Sequence, residues 1–262
     1  MVALRSIKIK RQIKKQIKHK NMKKLLTIAM ALGMVACTQA QWGKRIKGDG
    51  NFVTIERSVG DYDHVAVAGW FDVDLVAGQE GELTLEGESN LLEYITTEVK
   101  NGKLVIKTEK GVNLRPSTWS KGIRITVPVE SIDGVSLSGS GDIVGKTTIK
   151  SNNFSASIAG SGDVTLTVEA QSVEASLSGS GDINLAGRAT DFEVSVSGSG
   201  DIKAYDLEAD FVTAAVSGSA DIKVTANESL EARVSGSGDI HYRGNPKKIN
   251  TKSSGSGDIS KG

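Results

Sequence analysis

The chain has 262 residues, enough to bury a sizeable core, so its folding requires neither disulfides nor bound metal. Glycine is abundant at 30 residues, proline is scarce at 3 and aromatic residues make up 5%, while regularly spaced Val, Ile and Leu exclude a disordered Gly/Ser polymer. Residues 1–40 hold ten Lys and Arg and no acid, which leaves 22 basic and 31 acidic residues afterwards, a net charge of about −9. The negative net charge after residue 40, with no basic stripe of Lys and Arg in that part of the chain, argues against nucleic acid as a partner.

The first 40 residues have the pattern of a leader. Met22-Lys23-Lys24 and the apolar run LLTIAMALGMVA form a charged segment and a short hydrophobic segment, which predicts a signal peptide at residues 22–40. Residues 1–21 are then an extension upstream of the true start, although their basic run also allows a nucleic-acid arm. The apolar run is too short to span a bilayer and no second one follows, so we expect an exported protein without a transmembrane segment.

Cys37, the sole cysteine, has two interpretations. The sequence MVAC resembles a lipobox, which would make Cys37 the lipidated first residue of the mature protein and its membrane anchor. The sequence TQA before Gln41 is instead a small-x-small site for ordinary cleavage. Either way, no thiol pair exists for a disulfide.

Residues 41–130 predict an irregular β region. Short alternating or apolar runs separated by Gly, Asp and Asn indicate strands at FVTIER, HVAVAG, FDVDLVAG, GELTLEGE and GIRITVPV. The run NLLEYI predicts one helical turn capped by Asn90, and TTEVKNGKLVIKTE predicts a hairpin that turns at Asn101-Gly102. The run NLRPSTWSKG, residues 113–122, predicts a loop.

Residues 131–262 are dominated by the repeated motif SGSGDI, first seen at Ser138–Ile143. Later copies begin at Ala159, Ser178, Ser197, Ser217, Ser235 and Ser254. The motif aspartates are Asp142, Asp163, Asp182, Asp201, Asp221, Asp239 and Asp258, so the period is about nineteen residues. Apolar residues alternate before each copy, as at Val173, Ala175 and Leu177, which indicates strands. A repeat of this length predicts a parallel β-solenoid with one coil per repeat.

The same alternation, continued through the motif, predicts that its glycines point inward and its serines and aspartates outward. Inward glycines would let the opposite wall approach or the chain bend. Ala220 replaces the second glycine of the fifth copy, which indicates that this position requires space rather than a positive φ. Thr251 and Ser253 replace the apolar residues of earlier repeats, as expected for a terminal coil.

The stacked aspartates allow two interpretations. Seven carboxylates about 5 Å apart repel one another, so a row of bound cations, as in calcium-binding Gly-Asp rolls, would offset the repulsion. Alternatively, each carboxylate accepts hydrogen bonds from backbone N–H and Ser hydroxyl groups in an Asx-type turn. The long period and sparse acids favour these structural repeat acids, so we predict no metal and no cofactor, with calcium as the alternative.

No catalytic site is predicted. His19, His64 and His241 lack metal-ligand spacing, and no catalytic triad can be assembled from the sequence. The pairs Asp61/Asp63 and Asp72/Asp74 have the spacing of surface acids more than of glycosidase carboxylates. Core or cap packing is the default for Trp42, Trp70 and Trp119, with a sugar-stacking platform as the alternative.

The leader, the segment NLLEYITTEVKNGKLVIKTE, the strand IRITVPV and the serial SGSGDI copies resemble the putative auto-transporter adhesin, head GIN domain family of exported Gram-negative proteins. The resemblance covers residues 50–260 and departs from the motif at Ala159, Val164 and Ala220. It implies an all-β, right-handed parallel β-helix and brings no catalytic or binding residues.

Three functional hypotheses follow. The first is a non-catalytic envelope or surface protein that binds an unknown glycan, protein or matrix component through a long polar face. The second is a polysaccharide-active β-helix enzyme, which would need a cluster of Asp, Lys, Arg or His breaking the repeat; the sequence shows none. The third is a lipid or small-molecule carrier, which would need a core cavity that narrow glycine-lined coils disfavour.

Overall fold

The structure is a computed structural model in which residues 43–118 and 121–262 are described. The predicted leader segments 1–21 and 22–40, which include His19 and Cys37, lie outside these residues, as do Trp42 and Trp119. Residues 44–262 form one compact unit.

Short strands make up the first part of this unit. They are β1 Lys44–Lys47, β2 Phe52–Ser58, β3 His64–Gly69, β4 Asp72–Ala77, β5 Glu82–Glu88, β6 Ile95–Lys100, β7 Lys103–Thr108, β8 Val112–Arg115, β9 Arg124–Val129 and β10 Gly134–Gly139. One helical turn, α1, spans Ser89–Leu92. The runs predicted as strands are therefore confirmed.

Long strands make up the second part. They are β11 Ile143–Gly160, β12 Val164–Gly179, β13 Ile183–Gly198, β14 Ile202–Gly218 and β15 Ile222–Gly236, followed by β16 Ile240–Arg243, β17 Lys248–Gly255 and β18 Ile259–Lys261. Each long strand runs from one motif to the next, so the sheet is interrupted at the Ser-Gly-Asp of each copy, which we call the motif corner.

The coils pair in parallel and in register. Val173 pairs with Phe192 of the next coil, and Val194 pairs with Ala214 of the one after. Each strand thus hydrogen-bonds to the same segment one repeat later, and the predicted parallel β-solenoid is confirmed. We call the strand segments that lead into the corners the pre-motif face; it contains β3, β10 and β17 and the last residues of β11–β15.

The bore of the coils is filled by the alternating apolar residues. Val173, Ala175 and Leu177 are at most 2% exposed, while Glu174 and Ser178 between and beside them are exposed. Burial of each such aliphatic side chain contributes about 1.5–3 kcal/mol relative to exposure in water. The period-two alternation therefore supplies the main stabilisation of the repeat region.

The short strands form the first level of the solenoid and its N-terminal end. Strand β3 lies beneath β10 and above β7, while β4 lies between β11 and β9, all in parallel. Antiparallel strands then extend the sheet: β6 pairs with β7, and β5 pairs with both β9 and β2. The β6–β7 hairpin turns at Asn101 and Gly102, both with positive φ, as predicted.

A buried carboxylate fixes the connection between β1 and β2. Glu88 is 1% exposed, and its oxygens accept hydrogen bonds from the backbone N–H of Gly50 (2.6 Å) and of Ser117 (2.7 Å). A buried carboxylate requires such donors because it has lost its water. Glu88 also pairs with Phe52 across β5 and β2, so this contact positions the start of β2.

Two local predictions were wrong. Asn90 does not cap α1: it lies inside the helical turn, and its amide donates to the carbonyl oxygen of Lys47 and accepts from the N–H of Asp49. Residues 113–122 are not entirely a loop, because the first three complete β8, which pairs in parallel with β1. In both cases the partner is a distant segment that local sequence does not reveal.

The prediction that the motif glycines point into the bore was also wrong. A β-carbon on Gly198 would lie 2.2 Å from the carbonyl oxygen of Gly179, and one on Gly200 would lie 1.8 Å from that of Gly181. The obstacle is the backbone of the preceding coil, so the glycines allow close stacking along the solenoid. The first glycine of each copy has positive φ, +146° at Gly198, whereas the second glycines and Ala220 do not, as the Ala220 substitution indicated.

These two glycine positions predict different costs of substitution. Gly198→Ala requires both a displaced coil and a strained backbone, so we expect it to lower the free energy of unfolding by more than about 1 kcal/mol. Gly200→Ala requires only the displacement that the fold already accommodates at Ala220, so its cost should be smaller. Urea denaturation measures both.

Gly60→Ala is the control, because a β-carbon there has no neighbour within 4 Å, and it should leave stability within about 0.5 kcal/mol of the wild type. Equal costs for Gly198→Ala and Gly200→Ala would contradict the role given to the positive φ.

Candidate functional site

The motif corner keeps the hydrogen-bond ladder intact where the sheet is interrupted. At residues 199–201, the N–H groups of Ser199 and Gly200 donate to the carbonyl oxygen of Gly179 (2.9 and 3.3 Å). The N–H of Asp201 then donates to the carboxylate Oδ1 of Asp182 at 3.0 Å. A side-chain oxygen thus takes the place that a backbone carbonyl holds elsewhere in the ladder, because the chain changes direction here.

The same bond recurs up the whole aspartate column, the set of motif aspartates named above. Each aspartate N–H donates to Oδ1 of the aspartate one coil earlier, at 2.7–3.1 Å, for Asp163, Asp182, Asp201, Asp221, Asp239 and Asp258. The donor is therefore in the next coil and not in a local Asx turn. These donors offset the repulsion between neighbouring carboxylates.

Asp72 extends the column by one step that sequence reading missed. The register places Gly69 under Gly139 and Val73 under Ile143, so residues 68–73, AGWFDV, are a degenerate copy of the motif. Asp72 thus lies in register below Asp142. Burial raises the pKa of Asp72, and the backbone of Asp142 opposes this rise with a smaller effect. In this copy Trp70 and Phe71 replace the second Ser and Gly, which hid the resemblance.

A lysine neutralises part of the column. The Lys203 ammonium lies 2.6 Å from Oδ2 of Asp182. Burial alone would raise the pKa of Asp182, but the hydrogen bonds from Lys203 and from the Asp201 N–H, with the lysine charge, hold the pKa of that carboxyl below its usual value. The same hydrogen bond raises the pKa of Lys203.

The structure gives no geometric indication of a metal centre in the column. Among residues 43–118 and 121–262, no group of three or more His, Cys, Asp or Glu side chains is arranged to hold an ion. The Oδ1 atoms of the column accept backbone hydrogen bonds, so a cation would have to bind through the remaining oxygens. The aspartates thus act first as acceptors of the ladder.

Serines form two further columns on the pre-motif face. One contains Ser176 and Ser195 in register, the other Ser178, Ser197, Ser217, Ser235 and Ser254. Between them a shallow groove of about 770 Å³ extends from Ile158 to Ser254. Because the groove spans five coil steps of about 4.8 Å each, it follows the solenoid axis for about 24 Å. It presents hydroxyls at a regular spacing.

The C-terminal end of this groove is basic. Ala215, Arg233 and Lys252 continue the Ser176 column in register, and all three line the groove. The Arg233 guanidinium is 2.6 Å from Glu231 on the neighbouring column. The groove therefore combines hydroxyls over most of its length with cations at one end.

A Ser-His-Asp arrangement is present that sequence reading did not find. His64 Nε2 lies 3.2 Å from Ser136 Oγ, and His64 Nδ1 lies 3.4 Å from Asp133 Oδ1. Burial and the charge of Lys103 lower the pKa of His64, against the raising effect of Asp133. However, Ser136 lies within a strand paired on both sides, so the backbone N–H groups around it belong to the ladders and are not available as an oxyanion hole.

The remaining candidate residues have separate positions. His241 Nδ1 contacts Ser260 Oγ at 3.0 Å, and Asp61 and Asp63 are exposed before β3. Asp74 is 3.3 Å from Lys146 and 3.7 Å from Arg124.

Trp70 and Asp72, in contrast, are brought together with three distant charged residues. They line a surface cleft of about 540 Å³ with Glu86, Lys121 and Arg124. The sequence shows no charged cluster that breaks the repeat, but the fold assembles one, because β4, β5 and β9 are neighbours in the sheet.

The aspartate ladder predicts the effect of two substitutions at one position. Asp201→Ala removes the acceptor of the half-buried Asp221 N–H, so we expect a loss of about 1–3 kcal/mol in the free energy of unfolding. Asp201→Asn keeps an acceptor oxygen and removes one charge from the column, so its stability should be close to that of the wild type. Urea denaturation of both variants is the measurement.

A cation row would behave differently. If the column bound calcium, millimolar calcium would raise the melting temperature of the wild type by several degrees and that of Asp201→Asn by less. We expect no calcium-dependent shift in either protein, and a shift of several degrees that is larger in the wild type than in Asp201→Asn would contradict the structural role.

No helix among the described residues is long and apolar enough to cross a membrane.

Known proteins resemble the chain in fold and in sequence. A putative adhesin from Bacteroides fragilis is 26% identical with a TM-score of 0.76, covering 82% of this chain and 99% of its own. A putative lipid binding protein from Parabacteroides distasonis is 28% identical with a TM-score of 0.71, covering 84% of this chain and 100% of its own. No curated protein matches the chain.

A putative adhesin from Parabacteroides merdae, 19% identical with a TM-score of 0.67 over 84% of this chain and 99% of its own, shares the fold. Residues 61–246 match the family described as "putative auto-transporter adhesin, head GIN domain". This match covers the first level of the solenoid and most of the repeat, and the chain belongs to that family.

Proposed function

We propose that the protein is a non-catalytic, exported envelope or surface protein that binds a glycan, a protein or a matrix component through its pre-motif face. The observation that carries this proposal is the groove of serine columns, which repeats one set of hydroxyls over successive coils. A surface of this kind suits an extended partner with its own repeat, because each coil offers the same contacts. The family and the similar Bacteroides fragilis protein, both named as putative adhesins, support it.

The lining of the groove supports a binding role, and the Ser-His-Asp arrangement around His64 on the same face has no free backbone N–H groups to serve as an oxyanion hole. The groove is lined by Ser, Ala, Val and Leu with Arg233 and Lys252 at one end, and it contains no acid–base pair. A hydrolase or lyase needs such a pair beside its substrate. The charged cleft around Trp70 is the place where a polysaccharide-active enzyme, the second candidate, would have its site.

Lipid or small-molecule binding is the third candidate, and the similarity to the Parabacteroides protein named for lipid binding favours it. The repeat coils oppose it, because Val194, Val212 and Leu230 fill the bore at 1–2% exposure. A lipid would therefore have to lie in a surface groove and not inside the repeat coils.

Export is part of the proposal. We place the protein in the periplasm, at the outer membrane or outside a Gram-negative cell, with a membrane anchor only if Cys37 is lipidated. Mass spectrometry of the protein recovered from cells should find either a lipid-modified Cys37 or Gln41 at its N-terminus. A chain that still begins at Met1 or Met22 would contradict export.

Binding is tested with the purified protein on a panel of neutral and acidic glycans, matrix proteins and whole cells. Ser195→Arg places a long side chain in the middle of the groove and should weaken binding of the wild-type hit at least tenfold. Thr190→Arg is the matched control, because it adds the same charge to an exposed position of β13 outside the groove.

Thr190→Arg should bind as the wild type does. Failure of the wild type to bind any member of the panel, or equal binding by Ser195→Arg and the wild type, would overturn the assignment to the pre-motif face.

A further inference from the structure

The degenerate copy, residues 68–73, differs from the later copies at two positions. One position faces outward and the other faces the preceding coil. Trp70 stands where later copies have serine, and Phe71 stands where they have the second glycine. In later copies a β-carbon at that glycine would strike the coil beneath, but β7 and β9 beneath the first copy are joined by a long excursion and not by a motif corner. Phe71 occupies the space and is fully buried, and its ring lies 6.4 Å from that of Trp70.

The cleft beside this corner is bordered by aromatic rings. Phe52 is 38% exposed at the start of β2, and Trp70 is half-buried at the corner between β3 and β4. The ammonium of Lys121 lies 5.2 Å from the centroid of the Phe52 ring. Aromatic side chains with part of their surface accessible beside a concave surface are typical of ligand sites, since burial of that surface by a ligand is favourable.

Polar groups converge on the same cleft from adjacent strands. Asp72 in β4 pairs with Arg124 in β9, and Arg124 pairs in turn with Glu86 in β5. Arg124 thus lies between Asp72 and Glu86 in the strand order. Its guanidinium is 3.7 Å from Asp74, which is two residues along β4 from Asp72. Ser140 of the next coil adds a hydroxyl. Together these groups offer both donors and acceptors within one site.

The charges of the lining residues cancel. Asp72 and Glu86 are acidic, whereas Lys121 and Arg124 are basic. Burial and the charges of Asp142 and Asp74 raise the pKa of Asp72, against the Asp142 backbone and the charge of Arg124. A strongly anionic or cationic ligand would gain little here, and four charged groups would disfavour a hydrocarbon chain.

Aromatic rings beside balanced charges and mixed hydrogen-bond donors and acceptors favour one class of ligand. A neutral saccharide has an apolar C–H face for the aromatic rings and hydroxyls that both donate to carboxylates and accept from Arg and Lys. The cleft volume of about 540 Å³ lies within the usual range of small-ligand sites, about 300–1,000 Å³, and suits a short saccharide segment.

We propose that the cleft bordered by Phe52, Trp70, Asp72, Glu86, Lys121 and Arg124 is a binding site for an uncharged saccharide. This inference rests on the proposed binding function but not on the pre-motif face. Asp72 connects the cleft with the motif corner, because it lines the cleft and lies in register below Asp142, the first aspartate of the column.

The test uses the full chain on an array of uncharged mono- to tetrasaccharides, their sialylated and sulfated counterparts, and phosphatidylcholine vesicles. We expect an uncharged saccharide to bind and to be recovered intact. Trp70→Ala should weaken its binding at least tenfold by removal of the stacking surface, and Glu86→Gln should weaken it about fivefold or more by loss of a charged acceptor.

Two control variants distinguish binding in the cleft from binding on the pre-motif face. Phe211→Ala removes another aromatic ring, 47% exposed and outside the cleft, and should bind as the wild type does. Ser195→Arg should weaken binding of any partner of the pre-motif face at least tenfold while leaving saccharide binding unchanged. If Trp70→Ala does not fold, Glu86→Gln, an exposed substitution outside the aspartate ladder, decides the result.

The proposal is overturned if no uncharged saccharide binds, if acidic glycans or vesicles bind better, or if the saccharide is cleaved. It is also overturned if Phe211→Ala or Ser195→Arg weakens saccharide binding as much as Trp70→Ala and Glu86→Gln do. Loss of binding with Ser195→Arg alone would leave the face proposal standing while this one fails.

Discussion

Close stacking of backbone at the motif corner is the constraint on which the rest of the structure depends. Coils about 4.8 Å apart leave little room for a β-carbon that points along the solenoid: at Gly198 it would lie 2.2 Å from the Gly179 carbonyl oxygen. Among the repeats an alanine replaces a motif glycine only at the second glycine position, at Ala220. The chain must also turn there without leaving N–H groups unpaired. Glycine allows the backbones to stack closely, and the Oδ1 atom of aspartate accepts the hydrogen bond of the N–H at the turn. The two residue types therefore recur together.

The same constraint produces the functional surface. A corner that repeats in register turns each serine and aspartate outward at the same height in its coil, and a groove of hydroxyls follows along the pre-motif face. The repeat ends at the degenerate copy, residues 68–73. There Trp70 and Phe71 replace Ser and Gly, because no motif corner lies beneath them. Motif corners stacked in register thus produce the regular pre-motif face. The aromatic cleft forms where the motif corner is missing.

The sequence predicts the repeat architecture well because its signals are local and periodic. Alternation at Val173, Ala175 and Leu177 locates the strands, and the turn residues Asn101 and Gly102 locate the hairpin. Features set by stacking were missed or misjudged. The direction of the glycines depends on the coil below, and the contact of His64 with Ser136 joins residues 72 positions apart. The cleft likewise combines Glu86, Arg124 and Asp72, whose proximity follows only from strand order.

Hydrogen exchange at the corners tests the central claim most directly, since it reports whether the aspartate N–H groups belong to the ladder. The amides of Asp201 and Asp221 should exchange as slowly as amides within the neighbouring strands β13 and β14, because each is bonded to a carboxylate of the preceding coil. Exchange at the rate of an exposed loop, with β13 and β14 still protected, would contradict the account.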